Sequence, residues 1–71
     1  MDKSILLALG NNINKIRKLR KITQEQLALL SHLSKKHISI IERGKTNPTI
    51  KTIYKISVSL RKKLYILFSP F

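Results

Sequence analysis

The spacing of apolar residues predicts an amphipathic helix near the start of the chain. Apolar side chains recur there at three- and four-residue intervals, at Leu6, Leu9, Ile13 and Ile16. This is the period of one face of an α-helix, and it predicts a first helix over about residues 4–20. Gly10 falls inside this helix, where glycine costs about 1 kcal/mol relative to alanine, so we expect another element to pack closely against it.

Helix-capping residues predict where three further helices begin. Thr23 is an N-cap, and Gln26 three residues later completes a capping box. Ser34 has the same place before a third helix over residues 35–43, and Thr49 caps a fourth. The fourth helix is predicted to direct four apolar residues inward, at Ile50, Ile53, Ile56 and Leu60.

The second and third predicted helices lie close together in the chain. They are joined only by residues 31–34, and Gly44 follows the third helix as a residue type that commonly ends helices. Two short helices with so short a connection, about twenty residues in all, have the dimensions of a helix-turn-helix. The pattern therefore predicts a helix-turn-helix over about residues 23–44.

The end of the chain fits two structures. As a helix, it aligns four apolar residues on one face: Leu60, Leu64, Leu67 and Phe68. As a strand, residues 64–68 are rich in β-forming side chains and Pro70 suits the end of an edge strand; we favour the helix. Either structure leaves apolar surface on residues 60–71, which indicates a contact with a second copy. The predicted dimer interface consists of Leu64, Ile66, Leu67 and Phe68. Leu29 and Leu30 also point outward, as isolated leucines or as another protein contact.

Length and composition predict one compact domain over residues 1–71, with 42% apolar residues. The chain has no cysteine, which excludes disulfides and cysteine-containing metal sites. No uninterrupted apolar run approaches the ~18–20 residues that span a bilayer. We therefore expect a soluble, cytoplasmic protein that makes no membrane contact.

The charge of the chain changes this picture most. Fifteen Lys and Arg against three Asp and Glu give a formal net charge of +12. This exceeds what solubility requires and attracts polyanions, among which nucleic acid comes first and anionic membrane second. The three carboxylates, Asp2, Glu25 and Glu42, and two histidines offer neither a carboxylate pair nor a histidine beside a carboxylate for catalysis. We expect no enzymatic activity, no metal and no cofactor.

The third predicted helix has two different sides when residues are placed about 100° apart. Ile38, Ile41 and Glu42 fall on the inner side. The opposite side is a continuous stripe of Lys35, Lys36, Ser39, Ile40 and Arg43. Such a stripe suits the major groove, where lysine favours the acceptors of guanine and an isoleucine meets a thymine methyl. Exposed lysines and a single outward isoleucine are also ordinary on solvated helices, but this position favours contact with DNA.

Several short patterns, in order along the chain, carry a family resemblance. They are Leu9-Gly10-x-x-Ile13-x-x-Ile16-Arg17, Thr23-Gln24-Glu25-Gln26-Leu27-Ala28, Leu33-Ser34, Ile38-Ser39-x-Ile41-Glu42-Arg43-Gly44-Lys45 and Asn47-Pro48-Thr49-Ile50-x-Thr52-Ile53-x-Lys55-Ile56. With these, the chain resembles the Cro/repressor-type (xenobiotic-response-element-type) helix-turn-helix family. The resemblance implies an all-α, lambda-repressor-like DNA-binding domain of four to five helices. Lys21 and His32 occupy turn positions where the family often has glycine, and both are expected to need positive φ.

The resemblance also implies roles for residues outside the third helix. Gln24 lies in the first turn of the second helix, where N–H groups and the helix dipole attract an anion; it is expected to bind the DNA backbone and hold the recognition helix. Lys45 and Thr46 are expected to follow the phosphates. The positions of Arg17 and Glu42 pair in the family as a buried ion pair. Alternatively, Arg17 binds phosphate and Glu42 caps a local group.

These features predict a sequence-specific regulator of transcription that binds double-stranded DNA. By resemblance, the positions of Lys35, Lys36 and Ile40 contact bases. We expect a homodimer on a palindromic operator, located with the nucleoid when bound, that represses its own or a neighbouring operon. Two alternatives are an antitoxin that pairs with a toxin and also represses its promoter, and a controller of a restriction–modification cassette. A non-specific cationic binder of nucleic acid or membrane would not need Ser34 or Gly44, and we disfavour it.

Overall fold

The computed structural model describes residues 2–69. The elements are α1 (Lys3–Leu19), α2 (Gln24–Ser31), α3 (Lys35–Glu42), α4 (Ile50–Ser59) and a C-terminal 3₁₀ helix (Leu64–Phe68). No strand forms within residues 2–69, so the predicted all-α fold is confirmed. The segment favoured as a fifth helix is helical, but as a single 3₁₀ stretch. Pro70, which the strand alternative placed at an edge, lies outside the described residues.

Side-chain caps start the helices where the sequence predicts them. The Thr23 hydroxyl accepts from the backbone N–H of Gln26 at 3.0 Å, and the Gln26 side chain accepts from the N–H of Thr23 at 2.8 Å. Ser34 and Thr49 each accept one backbone N–H in the same way. The cap of α1 was not predicted. It is Asp2, whose pKa is lowered by the hydrogen bond from the Ser4 hydroxyl and by backbone N–H groups.

All four α-helices end with a residue in the left-handed conformation. These residues are Lys21 (φ 58°), His32 (φ 58°), Gly44 (φ 69°) and Arg61 (φ 57°). After each of them, the next N–H reaches back to a carbonyl in the last turn of the helix, which is the Schellman arrangement. Lys21 and His32 have the positive φ that the resemblance implies. Arg61 was not foreseen, because no turn residue marks its position in the sequence.

Eleven apolar side chains form one core between the helices: Leu9, Ile13, Ile16, Leu27, Ala28, Ile38, Ile41, Ile53, Ile56, Leu60 and Leu67. α1 crosses α3 closely at Gly10, where an added Cβ would lie 2.5 Å from the carbonyl oxygens of Ile41 and Glu42. The expected close contact at Gly10 is therefore present. Ile50 is a correction, because it is 64% exposed rather than inward. It opens α4 one turn before Ile53, beyond the edge of the core.

The C-terminal 3₁₀ helix packs on α1 and α4. Asn12, which is buried in α1, donates from its amide nitrogen to the carbonyl oxygens of Leu67 at 2.8 Å and Ser69 at 2.6 Å. Leu67 is completely buried within one chain. It is therefore a core residue, and its place in the predicted dimer interface needs correction. Leu64 and Ile66 are partly buried against the core, and Phe68 is 40% exposed.

Candidate nucleic-acid interface

The outward side of α3 carries the predicted stripe. Ile38 and Ile41 are buried on the inner side, where α3 packs on α1 and α2. Lys35, Lys36 and Arg43 are exposed on the other side. Ser39 and Ile40, between them, are half-buried, and so is His37 at the margin. The structure therefore presents one polar, cationic helix face with an apolar group at its middle, and the core fixes its direction.

Glu42, at the end of α3, is the centre of a buried polar network. Its carboxylate accepts from Arg17 Nε at 2.7 Å and Arg17 Nη2 at 3.0 Å. The amides of Asn14 and Gln24 donate to the same carboxylate at 2.8 and 3.1 Å. Arg17 also donates from Nη1 to the carbonyl of Ile22 at 3.0 Å. The network thus joins α1, the start of α2 and the end of α3, and the predicted pairing of Arg17 with Glu42 is present in it.

These hydrogen bonds decide the charge state of Glu42. Burial on its own raises the pKa of this carboxyl group, and the hydrogen bonds from Arg17, Asn14 and Gln24 outweigh it, so the pKa lies below its ordinary value. An ionised Glu42 at neutral pH, on α3, holds donors from α1 and α2. Asn14 was missed in the sequence, although its place one helical turn before Arg17 puts both on one face of α1.

Gln24 lies where its predicted double role is possible. An amide nitrogen carries two hydrogens, so Gln24 can donate one to Glu42 and keep another for a phosphate. An open groove of about 630 Å³ lies in front of this end of α2. Lys18, Lys21 and Lys35 line it together with Gln24. Lys18 and Lys21 were not predicted as DNA contacts, because the sequence pattern does not show that they lie beside Gln24 and Lys35.

The loop after α3 forms the other end of the cationic surface. Arg43, Lys45 and Thr46 line a second groove, of about 740 Å³, beside the start of α1. The loop turns at Gly44, where an added Cβ would lie 2.8 Å from Leu7 Cδ2. The structure thus brings Arg43, Lys45 and Thr46 together. The outer side of α3 separates them from Lys35 and Gln24.

Two further kinds of feature, a metal-ligand cluster and a membrane-spanning helix, are absent from the part of the chain that is described. Within residues 2–69, no three His, Asp or Glu side chains come together as ligands for a metal ion. None of the helices there has both the length and the apolar character that crossing a membrane requires.

Two short helices joined by a tight turn, the second packed by one face and exposing a cationic stripe, define a helix-turn-helix domain. The family model described as Helix-turn-helix (HTH_3) matches residues 13–67, which include both helices. The chain belongs to this family, and it is a DNA-binding transcriptional regulator.

Three relatives illustrate the similarity. An uncharacterized HTH-type transcriptional regulator, y4dJ, of Sinorhizobium fredii is 35% identical over 61 residues, which cover 86% of this chain and 79% of the relative. The immunity repressor protein of Bacillus phage phi105 is 39% identical over 54 residues, covering 76% of this chain and 38% of the relative. The restriction-modification controller protein C.Esp1396I, solved as a tetramer with its natural 35 base-pair operator, is 36% identical with a TM-score of 0.86. That match covers 94% of this chain and 88% of the controller protein.

Proposed function

We propose that the protein is a homodimeric repressor that recognises a palindromic operator through α3. One observation carries the proposal: α3 buries Ile38 and Ile41 and turns Lys35, Lys36 and Ile40 outward. The major groove of B-DNA admits one α-helix, and the side chains near the N-terminal end of such a helix contact base edges. Lys35 and Lys36 stand in the first turn of α3.

The surface has two kinds of contact with DNA. Lys36 donates to the O6 and N7 atoms of a guanine, and Ile40 packs against a thymine methyl. Four groups that line the two grooves bind phosphates on either side of α3 and set its register: Gln24, Arg43, Lys45 and Thr46. Phosphate contacts supply affinity, whereas base contacts choose the sequence. Ser39, between Lys36 and Arg43, faces the major groove of the DNA.

Two copies are needed because one recognition helix contacts only a few base pairs. Two helices related by a twofold axis bind half-sites about 34 Å apart, or a multiple of that distance. The interface must lie away from α3. Of the predicted interface residues, Phe68 and the accessible parts of Leu64 and Ile66 are at the surface and contribute to it. Such a protein acts in the cytoplasm, on the nucleoid.

A controller of a restriction–modification cassette is the second candidate function. The similarity to C.Esp1396I over most of both chains favours it. Both functions use the same surface and the same kind of operator. The gene beside the one that encodes this protein discriminates them, because a controller is expected next to a restriction endonuclease.

Selection from random DNA tests the proposed function. A library of duplexes with a randomised centre is incubated with the protein, and the bound fraction is amplified and sequenced. We expect enrichment of an inverted repeat whose half-sites are centred about one helical turn, or a multiple of it, apart. No enrichment after repeated rounds would contradict a sequence-specific regulator. Enrichment of a single unpaired half-site would contradict the dimer but not base recognition.

A further inference from the structure

Helix α4 has two apolar faces, of which the core uses one. Ile53 and Ile56 are completely buried against the rest of the domain. Ile50, Tyr54 and Val58 lie on another face and are 64%, 58% and 55% exposed. These three residues, which we call the outer stripe of α4, are four residues apart and so are neighbours on the helix surface. Single exposed apolar residues are ordinary, but a row of three along a ten-residue helix indicates a contact surface.

The outer stripe continues onto α2. A shallow groove of about 250 Å³ runs between the two helices, and Leu30, Tyr54 and Val58 are among the residues that line it. Lys51 and Lys55 flank the stripe on one side, and no charged residue lies within it. The surface is thus an apolar centre with a cationic edge.

We propose that the outer stripe of α4 is the centre of the homodimer interface and is covered by the same stripe of a second copy. This inference rests on the homodimer of the proposed function and locates its interface. The order of the residues supports it. A twofold axis through Tyr54 sets each Ile50 against the Val58 of the other copy, so that two β-branched side chains of similar size meet on both sides of a tyrosine pair. A contact of this kind must be self-complementary, and rows of residues four apart are those that interlock when helices cross at about −50°.

The area that a stable dimer needs shows how far the interface extends. A stable dimer typically buries about 800 Å² of surface on each partner, which is roughly a sixth of the 4747 Å² that the chain exposes. The outer stripe supplies the apolar centre. Leu30 lies on the groove beside it, and the 3₁₀ helix that bears Phe68 packs on α4 as well. The proposed interface is therefore centred on the stripe, with Leu30 and Phe68 at its edges.

The salt dependence of binding distinguishes a second copy of the chain from an acidic protein partner. Each copy carries a net charge of +12, so two copies repel each other and salt screens this repulsion. Self-association should therefore become tighter as salt is added, while binding to DNA becomes weaker. An acidic protein bound to the same stripe beside Lys51 and Lys55 would behave in the opposite way.

Sedimentation equilibrium of the full chain without DNA tests the proposal. Tyr54→Asp and Val58→Asp should each raise the dimer dissociation constant at least about 30-fold, as expected at the centre of an interface. Leu29→Asp is the matched control, since Leu29 is 75% exposed on α2 and does not line the groove. It should change the constant by less than about threefold. Circular dichroism should be unchanged in all three variants, because the replaced side chains are exposed.

A single thiol locates the twofold axis independently. The chain has no cysteine, so Tyr54→Cys carries the only one. Mild oxidation should give a disulfide-linked dimer of Tyr54→Cys and none of Leu29→Cys, because a disulfide requires Cα atoms about 4.4–6.8 Å apart.

Three results would overturn the inference: a wild-type monomer throughout the micromolar range, stripe variants that dimerise like wild type while Phe68→Asp does not, or dimerisation that salt weakens. The last would indicate a self-contact held by opposite charges rather than by the apolar stripe. Tyr54→Asp keeps every cation of the DNA surface, so it should still bind random DNA, with the shallower salt dependence of a single copy. Failure of the wild-type protein to prefer any sequence would instead count against the proposed function.

Discussion

Replacing Arg17 by alanine tests the buried network that holds α3. In the folded protein, Glu42 is 7% exposed and accepts two of its hydrogen bonds from Arg17. Removing one partner of a buried ion pair costs about 3–5 kcal/mol, because a charge remains buried without compensation. Asn14 and Gln24 continue to donate to Glu42, so we expect the lower end, about 3 kcal/mol.

This loss is large for so small a domain. A chain of 71 residues is expected to have a free energy of unfolding of about 4–10 kcal/mol. With a urea m-value of about 1 kcal/mol per molar, Arg17→Ala should lower the urea midpoint by about 3 M at unchanged m. Unfolding in urea followed by circular dichroism measures it. Lys18→Ala, next in the chain and exposed, is the control and should stay within about 0.5 kcal/mol of wild type. A loss below about 1 kcal/mol for Arg17→Ala would refute this account of the network.

Three further predictions concern DNA contacts, pH and the C-terminal segment. Lys36→Ala should cost about 1–3 kcal/mol of binding free energy on the operator and relax the preference at one base pair, whereas Lys45→Ala should weaken binding to all sequences alike. Binding isotherms on operator and random duplexes measure both effects. If both variants weakened binding uniformly, Lys36 would not contact a base edge. Because the pKa of Glu42 is lowered in the folded state, ionised Glu42 stabilises the fold above the unfolded-state pKa of about 4.3, and this stability is lost as the pH falls through the lower folded value. Glu42→Gln should therefore flatten the acid side of the plot of unfolding free energy against pH. An unchanged slope in that plot would contradict this role of Glu42. Asn12→Ala should lower the free energy of unfolding, measured in urea, by about 1–3 kcal/mol, because the carbonyl of Leu67 loses a buried donor. A loss below about 0.5 kcal/mol would show that water replaces the amide.

Local signals explain which parts of the fold could be predicted. The caps at Thr23 and Ser34 act on the N–H groups of the next few residues, so the helix starts follow from short stretches of sequence. Helical periodicity identified Ile38 and Ile41 as inner residues for the same reason. Periodicity alone does not show where a core ends, and Ile50 was therefore placed inside when it lies outside.

Contacts between distant segments explain which features could not be predicted from the sequence. Asn12 meets a carbonyl 55 residues away, and Asn14 meets a carboxylate 28 residues away, so no local pattern shows the partner of either residue. Leu67 enters the core only because the chain reverses after α4 at Arg61, in a backbone conformation that its sequence does not indicate. Lys18 and Lys21 join the candidate interface because α1 and α2 both pack on α3, which brings these lysines to the groove beside Lys35.

The most direct test of DNA recognition by α3 is the ratio of affinities for operator and random DNA. The selected operator and a random-sequence duplex of equal length compete for the protein at physiological salt. We predict operator binding at least about 10³-fold tighter, with log affinity for both falling linearly with log salt. Equal affinity for the two duplexes would contradict sequence recognition by α3, and it would leave only a cationic surface that binds any polyanion.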